Sequence, residues 1–262
     1  MTDFGLTDDF VGTCHGVIKR IAPEAEIIDI THGISPQSVL EGALVLANTL
    51  PYMPEGIHLA VVDPGVGSDR RALALRDASG RLYVGPDNGL LVPAAEALGG
   101  VAAARELENT RYWLEPVSRT FHGRDVFAPV AAHLATGVEL EQLGPELDPA
   151  ELVRLEVPEP SVGTNSIRAR ALAVDRFGNV QLNLRRSDLE RVGIVPGVRV
   201  ELEHATDRYY AIAAQTFSDV RPGEIVLYED AYDNVSIAIT TGNAAETLSA
   251  AVGDEMRIRI AG

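Results

Sequence analysis

IHLAVVDPGVGSDR, residues 57–70, sets the reading of the first half of the chain. Ile57 to Val62 is apolar but for His58 and reads as an apolar strand. It passes directly into Asp63 and a turn that contains Pro64, Gly65 and Gly67. In open α/β sheets, ligands gather at the carboxyl ends of strands, so Asp63 stands where a carboxylate meets a ligand. The glycines let backbone N–H groups approach something small and electron-rich. Taken alone, the segment also reads as a tight turn capped by Asp63.

Around this strand, helical and strand patterns alternate. Phe10, Val11, Cys14, Val17, Ile18 and Ile21 recur with a helical period over 10–22, and Pro23 stops the helix. Ile27 to Ile30 reads as a buried strand, and Val39 to Leu50 as a helix ended by Pro51. Ala72–Leu75 and Arg81–Val84 flank Asp77-Ala78-Ser79-Gly80, a hairpin signature. Asp125 to Thr136 predicts a helix closed by Gly137. The alternation predicts an α/β N-terminal domain over 1–150, a mainly parallel sheet covered by helices.

From Val138 to Gly163 prolines and glutamates accumulate, and the linker is placed at 151–164. Short strands then follow over 165–262: Ile167–Val174, Val180–Leu184, Val198–Glu203, Tyr209–Gln215, Glu224–Tyr228, Val235–Thr240 and Met256–Ile260. Glycine, asparagine and aspartate punctuate them, which predicts an antiparallel, β-barrel-like C-terminal domain. At the other end, Thr2-Asp3-Phe4-Gly5 has the character of a loop after a first strand, yet only Met1 precedes it. Either that strand lies outside these residues or the start site is placed late.

Composition narrows the function. Across 262 residues, 38 acidic against 22 basic side chains give a net charge of −16, which disfavours nucleic acid. Apolar residues make up 46%, too many for a disordered chain. No apolar run reaches the roughly 18 residues of a membrane span, and no signal-peptide pattern is present. Cys14 is the single cysteine, which excludes an intramolecular disulfide and a multi-cysteine zinc site. A cytoplasmic protein is expected. His15, His32, His58, His133 and His204 are scattered over unrelated elements and read as structural or surface groups. Neither a metal nor a cofactor is expected.

Four further segments carry candidate chemistry. His122, in Thr120-Phe121-His122-Gly123-Arg124-Asp125, precedes a predicted helix. Asn88, in Gly85-Pro86-Asp87-Asn88-Gly89, follows a strand, where turn chemistry explains it equally well. Asp3, Asp8 and Asp9 offer carboxylates to a ribose diol or a hard cation, and one of them also suits a helix N-cap. Asp175, Phe177 and Asn179 place a carboxylate, an aromatic face and an amide in one turn.

Six segments then occur in order: TDFGLTDDFVG (2–12), VVDPGVGSDRRA (61–72), GPDNGLL (85–91), TFHGRDVFAP (120–129), DRFGNVQLNL (175–184) and NVSIAITTGNAAETL (234–248). Together they resemble the S-adenosyl-L-methionine (SAM) hydrolase family, also called SAM hydroxide adenosyltransferases, relatives of fluorinase and chlorinase. The resemblance implies hydrolysis of SAM to adenosine and methionine in a homotrimer. SAM would lie between the N-terminal domain of one subunit and the C-terminal domain of the next. The family's hydrolytic trio falls on Asp63, Arg70 and His122, a set that the halogenating relatives do not keep. Asp3 matches the ribose contact, Asp175 the methionine amine, and Phe177 and Asn179 the adenine. Asp8, Asn88, Phe121 and Tyr232 complete the candidate substrate contacts. The last segment departs from the family near its start, where Ala231 replaces a common serine.

The sulfonium is already a good leaving group, so the chemical demand falls on the nucleophile. One water must be held in line with the C5′–S bond and made more hydroxide-like. Arg70 supplies a fixed cation, and either Asp63 or His122 could accept the proton. Three other readings compete: a non-catalytic SAM or adenosine sensor, a calcium-dependent nucleoside hydrolase, and a SAM-dependent halogenase.

Overall fold

In the computed structural model, which describes residues 1–262, α1 (Phe10–Ile21) forms where the apolar period places it and buries Val11, Cys14 and Val17. Helix α2 (Val39–Thr49) buries Ala43 and Leu46, and Pro51 enters a single 3-10 turn that ends it. Strand β1 (Ile57–Leu59), the hairpin β2 (Ala72–Asp77) and β3 (Leu82–Pro86), α3 (Val92–Ala97) and β4 (Val101–Glu106) follow. A π-helical turn at Gly123–Phe127 runs into α4 (Ala128–Ala135), and β5 (Glu146–Leu147) closes the set. These elements make up one of two compact units, Met1–Leu155.

The sheet is mixed, which corrects the expectation of a mainly parallel one. Its order is β1-β3-β2-β4-β5, and only the β1–β3 pairing is parallel. The hairpin explains this: two strands joined by a four-residue turn must pair antiparallel, and β4 then docks antiparallel on the free edge of β2. Ile27–Ile30 joins no ladder, and Ile28 is 54% exposed. Helices cover both faces. Leu73 and Leu75 pack with Ala43, Leu46 and Leu90, while Ala74 between them packs with Val126, Phe127 and Val130. That alternation along β2 is the period of two that a strand imposes.

The second unit is Glu156–Gly262. It contains β6 (Ser161–Val162), β7 (Ile167–Val174), β8 (Val180–Leu182), α5 (Arg186–Arg191), β9 (Arg199–His204) and β10 (Asp207–Ala213). It continues with β11 (Ile225–Glu229), β12 (Val235–Ile239), α6 (Ala244–Leu248) and β13 (Glu255–Ile260). Strand β13 pairs with β9 on one side and β7 on the other, which closes a seven-stranded barrel and removes its open edges. Ile167, Leu182, Val200, Leu202, Ile237, Met256 and Ile258 fill it. The barrel is antiparallel except between β10 and β11, which run parallel. Neither α5 nor α6 was expected. A signal for α6 was present, since Asn243 caps it by accepting a hydrogen bond from the Glu246 N–H at 2.9 Å.

The β2–β3 turn is built around Asp77, which is 1% exposed. Its Oδ1 accepts from the Ser79 and Arg81 N–H groups at 2.8 and 3.0 Å, and its Oδ2 accepts from the Tyr83 hydroxyl at 2.7 Å. Asp77→Ala leaves that hydroxyl buried without a partner, so it should destabilise the protein by about 3 kcal/mol, and Tyr83→Phe by about 1 kcal/mol. Urea unfolding of the two variants against the parent checks both values.

Candidate active site

Asp63 follows directly on Val62, and the Val62 carbonyl accepts a hydrogen bond from Asn88 Nδ2 at 2.8 Å. Asn88 Oδ1 in turn accepts from the Leu90 N–H at 3.2 Å. The Asn88 amide thereby fixes the peptide that precedes the carboxylate. Beyond Asp63 the chain turns tightly: Ser68 N donates to the Gly65 carbonyl at 3.1 Å, and so does Ser68 Oγ at 2.7 Å. Gly67 has φ +77°, and a Cβ there would collide with the Arg119 carbonyl oxygen. Glycine is therefore required both for the backbone conformation and for the approach of this turn to the 119–122 loop. That loop is anchored by Phe121, whose ring meets Phe4 and Phe10 edge-on, with centroids 5.7 and 5.1 Å apart.

The two loops bring Asp63, Arg70 and His122 together. Arg70 forms a two-armed ion pair with Asp63, with Nε–Oδ1 at 3.1 Å and Nη2 on Oδ2. The same Nη2 lies 3.2 Å from His122 Nδ1. The two charged side chains are nearly buried, Arg70 at 8% and Asp63 at 5% exposure. The Phe127 ring lies beneath the guanidinium, 5.2 Å away. A guanidinium has donors only, so His122 Nδ1 must accept. His122 is then neutral and carries its proton on Nε2. Burial, followed by the nearby positive charge of Arg70, holds the imidazole pKa below its ordinary 6.5, which favours that state.

The other candidates are placed as follows. Asp3 Oδ2 accepts from the Gln37 N–H at 2.8 Å, steadying a residue with φ 66°. Asp8 is exposed. Asp9 flanks α1 without a side-chain cap bond and accepts instead from the Thr13 hydroxyl at 3.2 Å. In the second unit, Asp175 Oδ1 accepts from the Phe177 and Asn179 N–H groups at 2.8 and 2.9 Å. Its Oδ2 takes Asn179 Nδ2 at 2.7 Å. This turn displays the Phe177 ring, which is 70% exposed. Tyr232 is 43% exposed, its N–H bonded to Asp230 Oδ1 at 2.8 Å.

Two arrangements were missed from sequence. Buried Asp87 accepts from Arg71 Nε at 2.8 Å and from the Val153 N–H at 3.0 Å, which fastens the end of the first unit beside β3. The Arg70-Arg71 and Asp87-Asn88 pairs were visible, but which arginine serves which carboxylate depends on the fold. The second is His15, Asp29 and His32, the one group of His and acidic side chains close enough to share an ion. Both imidazoles bond Asp29 Oδ1 through Nε2 at 3.0 Å, and His32 Nδ1 meets the Thr2 hydroxyl at 2.9 Å. Sequence reading had left these histidines on unrelated elements.

The chain comprises two units, an α/β unit bearing an aspartate–arginine–histidine cluster on two loops and a closed β-barrel. The chain belongs to the SAM hydroxide adenosyltransferase family: the family's N-terminal domain matches residues 1–144 and its C-terminal domain residues 169–257. A protein of Salinispora tropica named (R)-S-adenosyl-L-methionine hydrolase is 50% identical over 98% of this chain and 95% of its own. A Thermus thermophilus protein of the same name is 39% identical over 98% and 97%. A fluorinase of Actinoplanes is 31% identical over 91% and 89%. Among solved structures, an uncharacterized conserved protein from Thermotoga maritima superposes with a TM-score of 0.90, at 38% identity and 98% coverage of both chains.

Gly67→Ala should separate the two loops without unfolding the unit. Misplacement by about 1 Å costs roughly 10²-fold in rate, so turnover should fall by about that much with far-ultraviolet circular dichroism unchanged. Steady-state kinetics on the folded variant provides the check.

Proposed function

We propose that this protein hydrolyses S-adenosyl-L-methionine to adenosine and L-methionine, by in-line attack of a water at C5′. The observation that carries this reading is the Arg70 guanidinium shared between Asp63 and His122 at the end of the apolar 57–62 run. The relatives named above support the substrate, and their name specifies the (R) sulfonium.

The roles follow from the hydrogen-bond inventory. His122, protonated on Nε2, donates to the water oxygen and turns a lone pair toward C5′. Asp63 accepts one water proton, since each of its oxygens keeps a lone pair beyond the arm from Arg70. Arg70 stabilises the charge developing on the oxygen and holds both partners in register. The new O–C5′ bond takes its electrons from water, the C5′–S pair leaves on neutral methionine sulfur, and the proton passes from Asp63 to solvent. No general acid is needed for this leaving group.

Recognition is assigned to the remaining candidates. Asp3, with Oδ1 free of protein partners, and Asp8 take the ribose hydroxyls. Phe177 and Asn179 take the adenine, Asp175 the methionine amine, and Tyr232 the amino-acid end. Asn88 and Phe121 shape the wall next to the reacting carbon. We infer a homotrimer in which residues of the first unit of one subunit and the second unit of the next enclose one SAM, and we place the activity in the cytoplasm. Light scattering on the purified protein tests the trimer, and a fully active monomer would count against it.

Incubation with (R)-SAM in ¹⁸O-water, followed by mass spectrometry, should place the label on the adenosine 5′-oxygen. Unlabelled adenosine, or a halide-dependent product in place of adenosine, would overturn the reading. Asp63→Ala and His122→Ala should lower turnover by about 10²–10⁴-fold with SAM affinity largely kept, and Arg70→Lys should not restore the rate. Protonation of His122 removes its acceptor for Arg70. Because its pKa is held below 6.5, activity should persist through neutral pH and fall only on the acid side of 6.5. A pH–rate profile whose acid limb lies at or above 6.5 would contradict the assignment.

A further inference from the structure

Away from the Asp63–Arg70–His122 cluster, the first unit gathers three other side chains of metal-ligating type. His15 projects from α1, and Asp29 and His32 stand in the chain between α1 and α2. Each imidazole brings its Nε2 to the same oxygen, Asp29 Oδ1, at 3.0 Å. The two rings are inclined at 66° with centroids 6.2 Å apart, so neither stacks on the other and both nitrogens point at one centre. Exposure is graded across the cluster: the side chain of His32 is 8% exposed, that of His15 33% and that of Asp29 46%. The cluster therefore has a buried floor at His32 and a face open to solvent.

We propose that His15, Asp29 and His32 form a binding site for one zinc-class divalent cation. Two imidazoles and a carboxylate are donors that zinc takes at about 2.0–2.2 Å each, and a tetrahedral ion at that range sets its ligand atoms about 3.3 Å apart. Two of the three separations are already 3.0 Å, and all three atoms lie within 4.8 Å of one another. The ion takes the place of the Nε2 protons that now face Asp29, and those protons pass to solvent. Three protein ligands leave one position for a water, on the side where His15 and Asp29 are exposed. Two nitrogens and one carboxylate do not suit calcium or magnesium, which need six or more oxygens.

The support around the ligands points the same way. Metal-bound histidines hand their other ring nitrogen to a fixed partner, and the Thr2 hydroxyl lies 2.9 Å from His32 Nδ1. A hydroxyl donates and accepts, so Thr2 suits both states of the ring. It donates to Nδ1 while the Nε2 proton faces Asp29, and it accepts from Nδ1–H when Nε2 holds the ion. Thr2 Oγ1 is itself fixed by the Phe4 N–H at 3.1 Å, and the Gly5 N–H donates to the His32 carbonyl at 2.8 Å. A bound ion therefore fastens α1 to the 29–32 segment and, through Thr2, to the loop that carries Asp3. The site is structural and stands apart from the hydrolytic reading.

The test reads metal binding and not turnover. The 262-residue chain, free of any affinity tag and stripped with EDTA, is titrated with zinc chloride by calorimetry and with cobalt(II) by visible absorption. One ion should bind per chain, and cobalt(II) should give the strong bands of a four- or five-coordinate ion. His15→Gln and Asp29→Asn should each weaken zinc binding by at least about tenfold, and Thr2→Val by about tenfold. His133→Gln and His204→Gln should leave it unchanged. His32 is buried, so the decisive substitution is at the more exposed His15, read on protein whose far-ultraviolet circular dichroism matches the parent. Absence of stoichiometric binding would overturn the proposal. So would a His15→Gln variant that binds zinc as tightly as the parent, because the ion would then lie elsewhere, and so would the weak spectrum of six-coordinate cobalt.

Discussion

One guanidinium holds the 63–70 and 119–122 loops together. Arg70 is nearly buried, and a buried cation is tolerable only when its donors are matched. Two donors go to the Asp63 carboxylate, one of them shared with the His122 ring, and Phe127 supports the plane. Because arginine donates and never accepts, the pairing also dictates the imidazole tautomer. Within the set, Asp63 is the only member that has lone pairs and no proton of its own.

That cation can be shared only because the backbone permits two loops to touch. Gly67 faces the Arg119 carbonyl with no room for a side chain. Behind it, Asn88 pins the Val62 carbonyl, and the Phe4–Phe10–Phe121 cluster anchors the facing loop. Gly123 also belongs to this support, since a Cβ there would press on the Phe4 ring at 2.9 Å. Asp3 and Asp175 are likewise committed to backbone donors. Asp3 holds Gln37, and Asp175 holds the turn that displays Phe177. Each is held in place by its own unit.

Much of this was legible in the chain. Apolar periodicity located α1, α2, the hairpin and all seven strands of the barrel to within a few residues, because burial of alternate or every third-to-fourth side chain is a local property. The ordered motifs single out Asp63, Arg70 and His122, and the fold brings their side chains together. Pairing direction was not legible. Ile27–Ile30 has the composition of a strand, but strand formation needs a neighbour with free N–H and C=O groups in register, and the segment joins no ladder. The parallel β10–β11 contact and the convergence of His15 and His32 on Asp29 are also long-range outcomes.

The sequence by itself determined which residue types stand beyond the strands, and therefore the kind of chemistry available: a carboxylate and a permanent cation in one glycine-bearing loop and an imidazole in another. Only the tertiary structure decided that Arg70 grips Asp63 with two arms, that Arg71 is spent on Asp87, and that His122 faces the guanidinium through Nδ1. The physical reason is competition. Every donor in a folded chain can choose among several acceptors of similar intrinsic strength, and the choice is made by distance and burial, which exist only once the loops are packed.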